Sequence, residues 1–525
     1  MNHARKKTLL ITTAAIAATG GIASCAVCNM FIGDKFEPTT KSLGENYQIP
    51  EWYKNAKFGI FCHWGPQCQP ENGDWYARGM YESGNWQQRA HWEKYGDPKT
   101  FGFKDVIQEW HADKWDPDYL VSLYKKMGAR YMVSIANHHD NFDLWDSKYQ
   151  PWNSVKIGPK RDISREWKNA AEKYGLHWGV SIHASHSCEW YEPARSYDGL
   201  LTLKDGEGTW WGKLGLDPQD LYAQNHEASK NNREWEWQKG VVTPPTKEYL
   251  EKFMNRHKQL INDYRPEMIY FDDTYLPFYP VANEGLELTA YYYNSMLKYN
   301  NGKQNVVVTG KILNEEQRKG IVWDVERGVP SSIITPHWQT DTCIGTWHYD
   351  RSTYNRNGYK SAKTVIEMLV DIVSKGGNFM LSIPIRGNGT IDEKELAICN
   401  DIADWMAINS DGIYDTQVWK KFGEGPKAEE SIGLNAQGFN EGQGKAFTEK
   451  DIRFTAKNGA VYAFVMKVPK AGSSIEIKSF NGMNVKKVTL LGGKSTVDWK
   501  FADGVLSIQA PAEKFEIALC YKVEF

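Results

Sequence analysis

The chain of 525 residues is too long for one ordinary hydrophobic core, so its length predicts two domains. Its 63 basic and 65 acidic residues leave a net charge of −2 without a long run of either sign, which argues against nucleic-acid binding and against adsorption to an anionic membrane. Aromatic residues are numerous, with 22 Trp, 28 Tyr and 20 Phe, and this composition fits either a large aromatic core or a site that binds sugar rings.

The first residues have the pattern of an export signal. Basic residues at positions 5–7 precede an apolar stretch over residues 8–22, which is too short and too rich in Ala and Gly to favour a membrane-spanning helix. The stretch ends in Ile22-Ala23-Ser24-Cys25, which fits the lipobox of bacterial lipoproteins; an ordinary secretory cleavage site nearby is the alternative. We therefore predict a lipoprotein-type signal peptide over residues 1–25, lipidation of Cys25, and export to the periplasm or outer membrane, with this lipid as the only membrane contact.

From about residue 50 to about residue 385, short apolar runs alternate with amphipathic stretches, which predicts an α/β barrel or a doubly wound sheet. Asp116-Pro117 marks a helix start, and Gly128 and Gly175 mark helix ends. The predicted helices span residues 117–127, 163–174, 246–264 and 393–408. The predicted strands are Lys57–His63, Tyr131–Ala136, Trp178–His183, Met268–Asp272, Asn305–Thr309, Ile321–Val325 and Asn378–Ile383.

After about residue 410 the chain changes to Gly-, Lys- and Glu-rich loops and evenly spaced short alternating runs, which are typical of antiparallel strands. We therefore predict a barrel domain over residues 45–410 and a β-sandwich over residues 411–525. Residues 189–242 are polar and long for a connection after a strand, so we interpret them as an insertion beside the active site. The predicted sandwich strands are Val461–Val468, Ser474–Ile477, Val488–Leu491, Val505–Ile508 and Phe515–Cys520.

Carboxylates and histidines follow several of the predicted barrel strands, where parallel barrels place their active sites. Glycoside hydrolysis needs two carboxyl groups, one to attack or to activate water and one to protonate the leaving oxygen. Asp272 ends an apolar strand, although an aspartate there is also explained by capping of the next turn. Glu326 ends another such run, and the acidic residues that compete with it are Asp324, Glu189, Glu192, Glu315 and Glu316.

A histidine metal centre is the rival interpretation. The histidines available for it are His63, His138, His139, His183 and His186. Neighbouring residues on a strand point to opposite faces, so His138 and His139 rarely bind one ion together, and no H-x-H or H-E-x-x-H spacing occurs. Histidines that bind sugar hydroxyls explain the pattern more simply, so we predict neither a metal nor a cofactor. Among the eight cysteines, Cys62 and Cys68 are near enough in sequence to pair, and the others show no regular framework.

Several stretches resemble the α-L-fucosidase family of glycoside hydrolases, family 29, and they occur in that family's order. They are Trp52–Gly65, Asp74–Tyr81, Asn137–Trp145, Gly158–Ile163, Met268–Asp273 and Gly376–Pro384. The resemblance implies a (β/α)8-like barrel followed by an antiparallel β-sandwich. It also implies a retaining, exo-acting α-L-fucosidase that forms a covalent fucosyl-enzyme on fucosylated oligosaccharides or polysaccharides.

The resemblance assigns roles to individual residues. Asp272 falls on the nucleophile and Glu326 on the acid/base position, while Asp273 stands where the family commonly has glycine. Trp347 matches an aromatic residue that packs on the C6 methyl group of fucose. The residues implied to bind the sugar are His63, Asp74, Trp75, His138, His139, Tyr270 and Trp347.

The chain also departs from the family pattern. Ser181–His186 replaces a Tyr-Tyr-Ser strand end, and Lys311 lies in the region of a family arginine. Asp74 and Tyr270 stand where the family usually has glutamate and tryptophan. These differences leave two alternatives open: an exo-glycosidase for another L-sugar such as α-L-galactose, or a glycan-binding lipoprotein without catalysis.

Overall fold

The computed structural model describes residues 33–223, 245–435 and 439–525. The predicted signal peptide and Cys25 lie outside these ranges, as does the last part of the predicted insertion. Within the described ranges, no helix has both the length and the apolar composition needed to cross a bilayer.

Eight parallel strands close into a barrel in sequence order, with the last strand paired to the first. Most of their residues are buried, because a parallel sheet surrounded by helices is covered on both faces. The strands are β1 Phe58–Cys62, β2 Tyr131–Asn137, β3 His177–Ile182, β4 Met268–Thr274, β5 Val307–Lys311, β6 Val322–Glu326, β7 Trp338–Cys343 and β8 Gly377–Ser382.

The helices begin at residues that can cap them. Asp116, at the predicted helix start, accepts a hydrogen bond from the Tyr119 amide, and Thr246, predicted as the first residue of a helix, caps α11 by accepting one from the Tyr249 amide. The α-helices of the described residues are α1 Thr40–Asn46, α2 Glu51–Ala56, α3 Tyr76–Gly79, α4 Trp86–Tyr95, α5 Phe103–Glu109, α6 Pro117–Lys126, α7 Ile163–Lys173, α8 Ser187–Trp190, α9 Trp210–Lys213, α10 Pro218–Tyr222, α11 Lys247–Tyr264, α12 Glu284–Tyr299, α13 Gln317–Gly320, α14 Arg351–Asn355, α15 Ala362–Ser374 and α16 Glu393–Asn409.

The C-terminal part forms two antiparallel sheets, with strand orders β13-β16-β11-β10-β9 and β12-β15-β14. Alternate side chains of these strands, such as Ile475 and Ile477 on β12, point into a second hydrophobic core. The predicted fold class is therefore confirmed. The strands are β9 Gly423–Glu424, β10 Ile452–Lys457, β11 Ala460–Val465, β12 Ser474–Ile477, β13 Lys487–Leu490, β14 Trp499–Ala502, β15 Val505–Gln509 and β16 Leu519–Glu524.

The structure differs from the sequence predictions in several strands and in one cysteine pairing. Strand β7 was not predicted, because its sequence, WQTDTC, carries buried polar side chains instead of a continuous apolar run. Strands β9, β10 and β14 were also missed, and the last strand is β16 instead of Phe515–Cys520. The pairing considered for Cys62 and Cys68 is wrong: both are buried free thiols, and the Sγ of Cys62 lies 3.8 Å from the Tyr124 hydroxyl.

Candidate active site

Three charged side chains meet at the carboxyl ends of consecutive barrel strands. Asp272 lies on β4, Lys311 ends β5 and Glu326 ends β6, so the closed barrel brings them to one rim. The Lys311 Nζ atom forms ion pairs with Asp272 Oδ1 and with Glu326 Oε2. The exposed fractions of the Asp272, Lys311 and Glu326 side chains are 23%, 13% and 17%, so the cluster reaches solvent but is mostly enclosed.

The second oxygen of Asp272 faces two histidines. Asp272 Oδ2 lies 3.1 Å from His183 Nδ1 and 3.5 Å from His139 Nε2. Burial by itself raises the pKa of the Asp272 carboxyl, but Lys311 and then His183 outweigh it and hold that pKa well below its usual range. Asp272 is therefore a carboxylate at neutral pH, the form that a nucleophile requires.

Lys311 remains charged for the complementary reason. Burial lowers the pKa of its ammonium group, but the carboxylates of Asp272 and Glu326 raise that pKa well above the ordinary value. The site thus holds a fixed positive charge in contact with both candidate catalytic carboxyl groups.

Two further carboxyl groups, Asp324 on β6 and Asp341 on β7, lie beneath this cluster. The Tyr270 hydroxyl lies 2.7 Å from Asp341 Oδ2 and 3.3 Å from Asp324 Oδ2, and Gln339 Nε2 donates to Asp324 at 2.7 Å. Burial raises the pKa of Asp324 to about 7, and burial together with Asp324 raises the pKa of Asp341 well above its usual range. Asp341 therefore keeps its proton to a higher pH than an ordinary aspartate does, which limits the negative charge at the floor of the site.

Histidine rings line one side of the pocket, with centroids 4.4–6.0 Å apart among His63, His138, His139 and His183. Burial lowers the pKa of His63, His138 and His183, so these imidazoles are neutral. His138 Nδ1 lies 3.1 Å from Gln67 Nε2, and His139 Nδ1 donates to the His183 carbonyl at 2.8 Å. Neutral imidazoles both donate and accept hydrogen bonds, as sugar hydroxyls require.

The same rings are the groups of this site that could hold a metal ion. Ligand atoms of His63, His138 and His183 lie within 4.8 Å of one another, as do those of His139, His183 and Asp272. The Lys311 ammonium already contacts Asp272, however, and its charge opposes a dication at this carboxylate. The geometry thus favours a site whose charge is balanced by protein groups, and the absence of a metal stays a prediction.

The loop after β7 supplies an aromatic wall. The ring of Trp347 lies 4.9 Å from the ring of His63 and is half-buried. Asp74 fixes this loop, because its carboxylate accepts hydrogen bonds from the backbone amides of Trp347 at 3.3 Å and His348 at 2.6 Å. Contact of Asp74 with a sugar stays a prediction; the task that the structure gives it is to position Trp347.

The other two aromatic residues predicted at the site have different surroundings. Trp75 is 44% exposed at the rim, with its ring 6.0 Å from that of His139. Tyr270 is buried at 1% exposure, and its hydroxyl is occupied by Asp341, so it supports the floor of the pocket. Its predicted contact with a sugar is untested.

Asp273 faces a different set of partners from Asp272. Its Oδ1 atom accepts a hydrogen bond from Ser185 Oγ at 2.7 Å and lies 3.2 Å from His186 Nε2. Asp273 therefore stabilises the turn after β3. This turn begins at His183, the residue whose ring contacts Asp272. Asp273 and the stretch Ser181–His186 both depart from the family pattern, and these contacts join them to each other.

The structure also bears on which glutamate accompanies Asp272. Glu326 shares the Lys311 ammonium with Asp272, whereas Glu315 and Glu316 are exposed before α13. Asp324 lies at the buried floor, and Glu189 lies in the short helix α8. The shared contact with Lys311 thus favours Glu326 over Asp324, Glu315 and Glu316, and among the described residues neither Glu189 nor Glu192 contacts Lys311.

The catalytic and sugar-binding residues implied by the family resemblance do not include Lys311, Asp341 or His183, although His183 was among the histidines considered for a metal centre and Lys311 was noted in the region of a family arginine. Strand β5 was predicted to end at Thr309, two positions before Lys311, and β7, which carries Asp341, was not predicted. His183 directly follows β3, and this position was the available signal for it.

Comparison with known proteins decides the family. The family model for α-L-fucosidase matches residues 23–411. The chain belongs to the α-L-fucosidase family of glycoside hydrolases. A second model, for the α-L-fucosidase C-terminal domain, matches residues 444–523, which contain β10 to β15 and most of β16.

Relatives of this fucosidase-family chain match along most of their length. The α-L-fucosidase of Dictyostelium discoideum is 26% identical over 484 residues, which is 89% of this chain and 88% of that protein. The tissue α-L-fucosidase of Rattus norvegicus is 26% identical over 511 residues, 94% of this chain and 90% of that protein. The solved Thermotoga maritima α-fucosidase in complex with a mechanism-based inhibitor superposes with a TM-score of 0.68 at 25% identity, covering 93% of this chain and all of that one (100%).

The raised pKa of Asp324 predicts how its replacement changes stability with pH. The folded protein keeps a proton on Asp324 up to a pKa of about 7, whereas the unfolded chain loses it near pH 4, so this site destabilises the fold progressively as pH rises between those values. Asn keeps the shape and does not titrate. We expect the free energy of unfolding of Asp324→Asn, relative to wild type, to rise by about 2–3 kcal/mol from pH 5 to pH 8 in urea titrations. Asp404→Asn, at an exposed position of α16, is the control, and a pH-independent difference for Asp324→Asn would contradict the expectation.

Proposed function

We propose that this protein is a retaining exo-α-L-fucosidase that removes terminal α-L-fucosyl residues from oligosaccharides or polysaccharides. The observation that carries the proposal is the contact of Asp272 and Glu326 with one Lys311 nitrogen. Two ion pairs to one atom keep the nearest oxygens of the two carboxyl groups within about 5 Å of each other, which is compatible with the short separation of glycosidases that work through a covalent intermediate. Inverting enzymes need a wider gap for a water molecule.

In the first half of the reaction, Asp272 attacks the anomeric carbon and the glycosidic bond breaks. Glu326 donates a proton to the departing oxygen, so the aglycone leaves as an alcohol. In the second half, Glu326 takes a proton from water, and the resulting hydroxide displaces Asp272 from the sugar. Each displacement inverts the anomeric carbon. Because two inversions restore the original configuration, the product keeps the α configuration.

Lys311 keeps the charge of the site constant through these steps. Before the first displacement, Asp272 is the anion that faces the ammonium group, and Glu326 carries the proton to be donated. In the covalent intermediate, Asp272 is a neutral ester and Glu326 is the anion. One negative charge therefore moves between two partners that both contact Lys311, which limits the electrostatic reorganisation between the states.

The sugar-binding groups fit fucose in two respects. Neutral His63, His138 and His183 offer hydrogen bonds to hydroxyl groups, and the Trp347 ring offers an apolar wall to a methyl group. Discrimination of one such small group in a pocket is worth about 1–3 kcal/mol. The natural relatives named above are α-L-fucosidases, which supports the same substrate class.

The nucleophile assignment predicts the behaviour of two variants. Asp272→Asn should fold and lose nearly all turnover, because an amide of the same shape does not attack the anomeric carbon. Azide should restore part of the activity of Asp272→Gly on 4-nitrophenyl α-L-fucoside by entering the vacated space, with fucosyl azide as the product. Asp273→Asn is the matched control and should retain activity on this substrate well above that of Asp272→Asn. Near-wild-type activity in Asp272→Asn would contradict the assignment.

The position of the Trp347 ring predicts that the enzyme prefers α-L-fucoside to α-L-galactoside. Against a closed apolar wall, the extra hydroxyl of L-galactose loses its hydrogen bonds to water, which costs about 1–3 kcal/mol, so α-L-galactoside should react roughly tens to hundreds of times more slowly than α-L-fucoside. Trp347→Ala should narrow that ratio, whereas Trp92→Ala, which removes an exposed tryptophan on α4, should leave it unchanged. An unchanged ratio in Trp347→Ala together with a lowered melting temperature would assign the ring to structural packing. A wild-type preference for galactoside would support the alternative substrate.

We further propose that the protein is exported and held at a membrane by a lipid on Cys25. The support is the sequence Ile22-Ala23-Ser24-Cys25 after a basic and apolar segment. Cys25→Ser should move the enzyme from the membrane fraction to the soluble fraction and abolish incorporation of labelled palmitate, whereas Cys28→Ser should change neither. Soluble wild-type protein without label would contradict the anchor.

A further inference from the structure

The loop that follows Glu326 is attached to a segment outside the barrel. The backbone amides of Asn440 and Glu441 donate to the Arg327 carbonyl at 3.2 and 2.9 Å. The Asn440 side chain accepts from the Val329 amide and donates to the Val329 carbonyl, both at 2.9 Å. Residues 440–441 lie between α16 and β10, in the C-terminal part of the chain.

Glu441 joins this loop to the end of β7. Its Oε2 atom accepts hydrogen bonds from Arg327 Nε and from Thr342 Oγ1, both at 2.9 Å, while its Oε1 atom lies 2.7 Å from Lys360 Nζ. Burial raises the pKa of Glu441, but Lys360 and Arg327 outweigh it and lower that pKa below the usual value. Glu441 is therefore an anion at neutral pH, held by two cations and a hydroxyl group.

Arg327, the residue directly after Glu326, is fixed on both sides. Its amide donates to the Asp341 carbonyl at 2.8 Å, and its own carbonyl accepts the two amides from residues 440–441. Its φ of 47° lies in the left-handed region, which a residue other than glycine keeps only where its surroundings impose it. The direction in which the chain leaves Glu326 is thus determined by these contacts.

The C-terminal part is itself firmly attached at this side of the barrel. Arg453 on β10 forms a buried ion pair with Asp371 on α15, with Arg453 Nε 2.5 Å from Asp371 Oδ1. A buried pair of this kind is costly to break, because it leaves a charge unpaired. The segment that contacts Arg327 is therefore connected to a fixed support.

We propose that Asn440 and Glu441 are positioning residues for Glu326, through which the C-terminal part of the chain contributes to proton transfer. The inference rests on the acid/base role proposed for Glu326. Proton transfer to a leaving oxygen requires the donor within hydrogen-bond distance, and a shift of about 1 Å can cost about a hundredfold in rate. Glu441 holds the peptide after Glu326 and, through Thr342 and Lys360, the end of the strand that leads to Trp347.

The test uses two substrates that differ in their need for an acid. A fucosyl disaccharide has a poor leaving group, whereas 2-chloro-4-nitrophenyl α-L-fucoside has one that departs without a proton. Glu441→Ala should lower kcat/KM about tenfold or more on the disaccharide and less than about threefold on the aryl fucoside. Glu441→Gln, which keeps the shape, should fall between Glu441→Ala and wild type and covers the case of an unfolded alanine variant. Glu430→Ala is the matched control, since Glu430 lies in the same segment and pairs with Lys427.

A double-mutant cycle separates positioning from general stability. In a Glu326→Ala background, Glu441→Ala should cost less than about twofold on the disaccharide, because the group that it positions is already missing. An additive loss, or an equal loss on both substrates with a lowered melting temperature, would overturn the proposal. If Glu326→Ala itself loses equally on both substrates, the proposed role of Glu326 fails and the positioning role falls with it. If Glu326→Ala depends on the leaving group and Glu441→Ala does not, the positioning role alone is wrong.

Discussion

The ammonium group of Lys311 contacts the carboxyl groups of Asp272 and Glu326 in a mostly enclosed barrel mouth, and the other ionisable groups of the site are arranged around this cation. A charge that is shielded from water is stable only next to an opposite charge. The ammonium group of Lys311 therefore stabilises one anion beside it, whereas each additional anion in the enclosed site raises the electrostatic free energy. The pKa directions follow this constraint: the pKa of Asp272, next to the cation, is held well below its usual range, and the pKa of Asp341, deeper in the barrel, is raised well above it. A double displacement suits such a site, because its two carboxyl groups exchange one charge and one proton without changing the total.

The barrel explains how these groups meet, and the connections after its strands explain how they are held. Asp272, Lys311 and Glu326 come from three consecutive strands and meet because the sheet is closed and parallel. Their neighbours are fixed from outside the barrel rim: Asp74 binds the loop of Trp347, and Asp273 binds the turn of His183. The loop after Glu326 depends on residues beyond the last barrel helix. Function in this chain therefore involves both the barrel and the C-terminal part.

Much of this architecture could be predicted from local sequence. Strand β1 and the first four residues of β4 are continuous apolar runs, and caps such as Asp116 and Thr246 mark helix starts. Strand β7 was missed because a barrel interior that holds Gln339 and Asp341 does not produce the apolar pattern of an ordinary buried strand.

The residues of the predicted site divide in the same way, into those that local sequence indicates and those that depend on the whole fold. Asp272 and Glu326 end recognisable strands, and family resemblance pointed to the histidines. The role of Lys311 depends on pairing between strands whose order is a property of the whole barrel, and the contact of Glu441 with Arg327 links residues 114 positions apart. Local periodicity carries no information on such contacts, so they emerge only in the folded structure.

The most direct test of this account is to trap the covalent intermediate and identify the labelled residue. A 2-deoxy-2-fluoro-fucosyl fluoride forms the intermediate and slows its hydrolysis, so that peptide mass spectrometry can locate the attached sugar. The account predicts a single label on Asp272, within the peptide that contains β4, and α-L-fucose as the first product in NMR spectra of substrate turnover. A label on Asp273 or Glu326, or no label together with β-L-fucose as the first product, would contradict it.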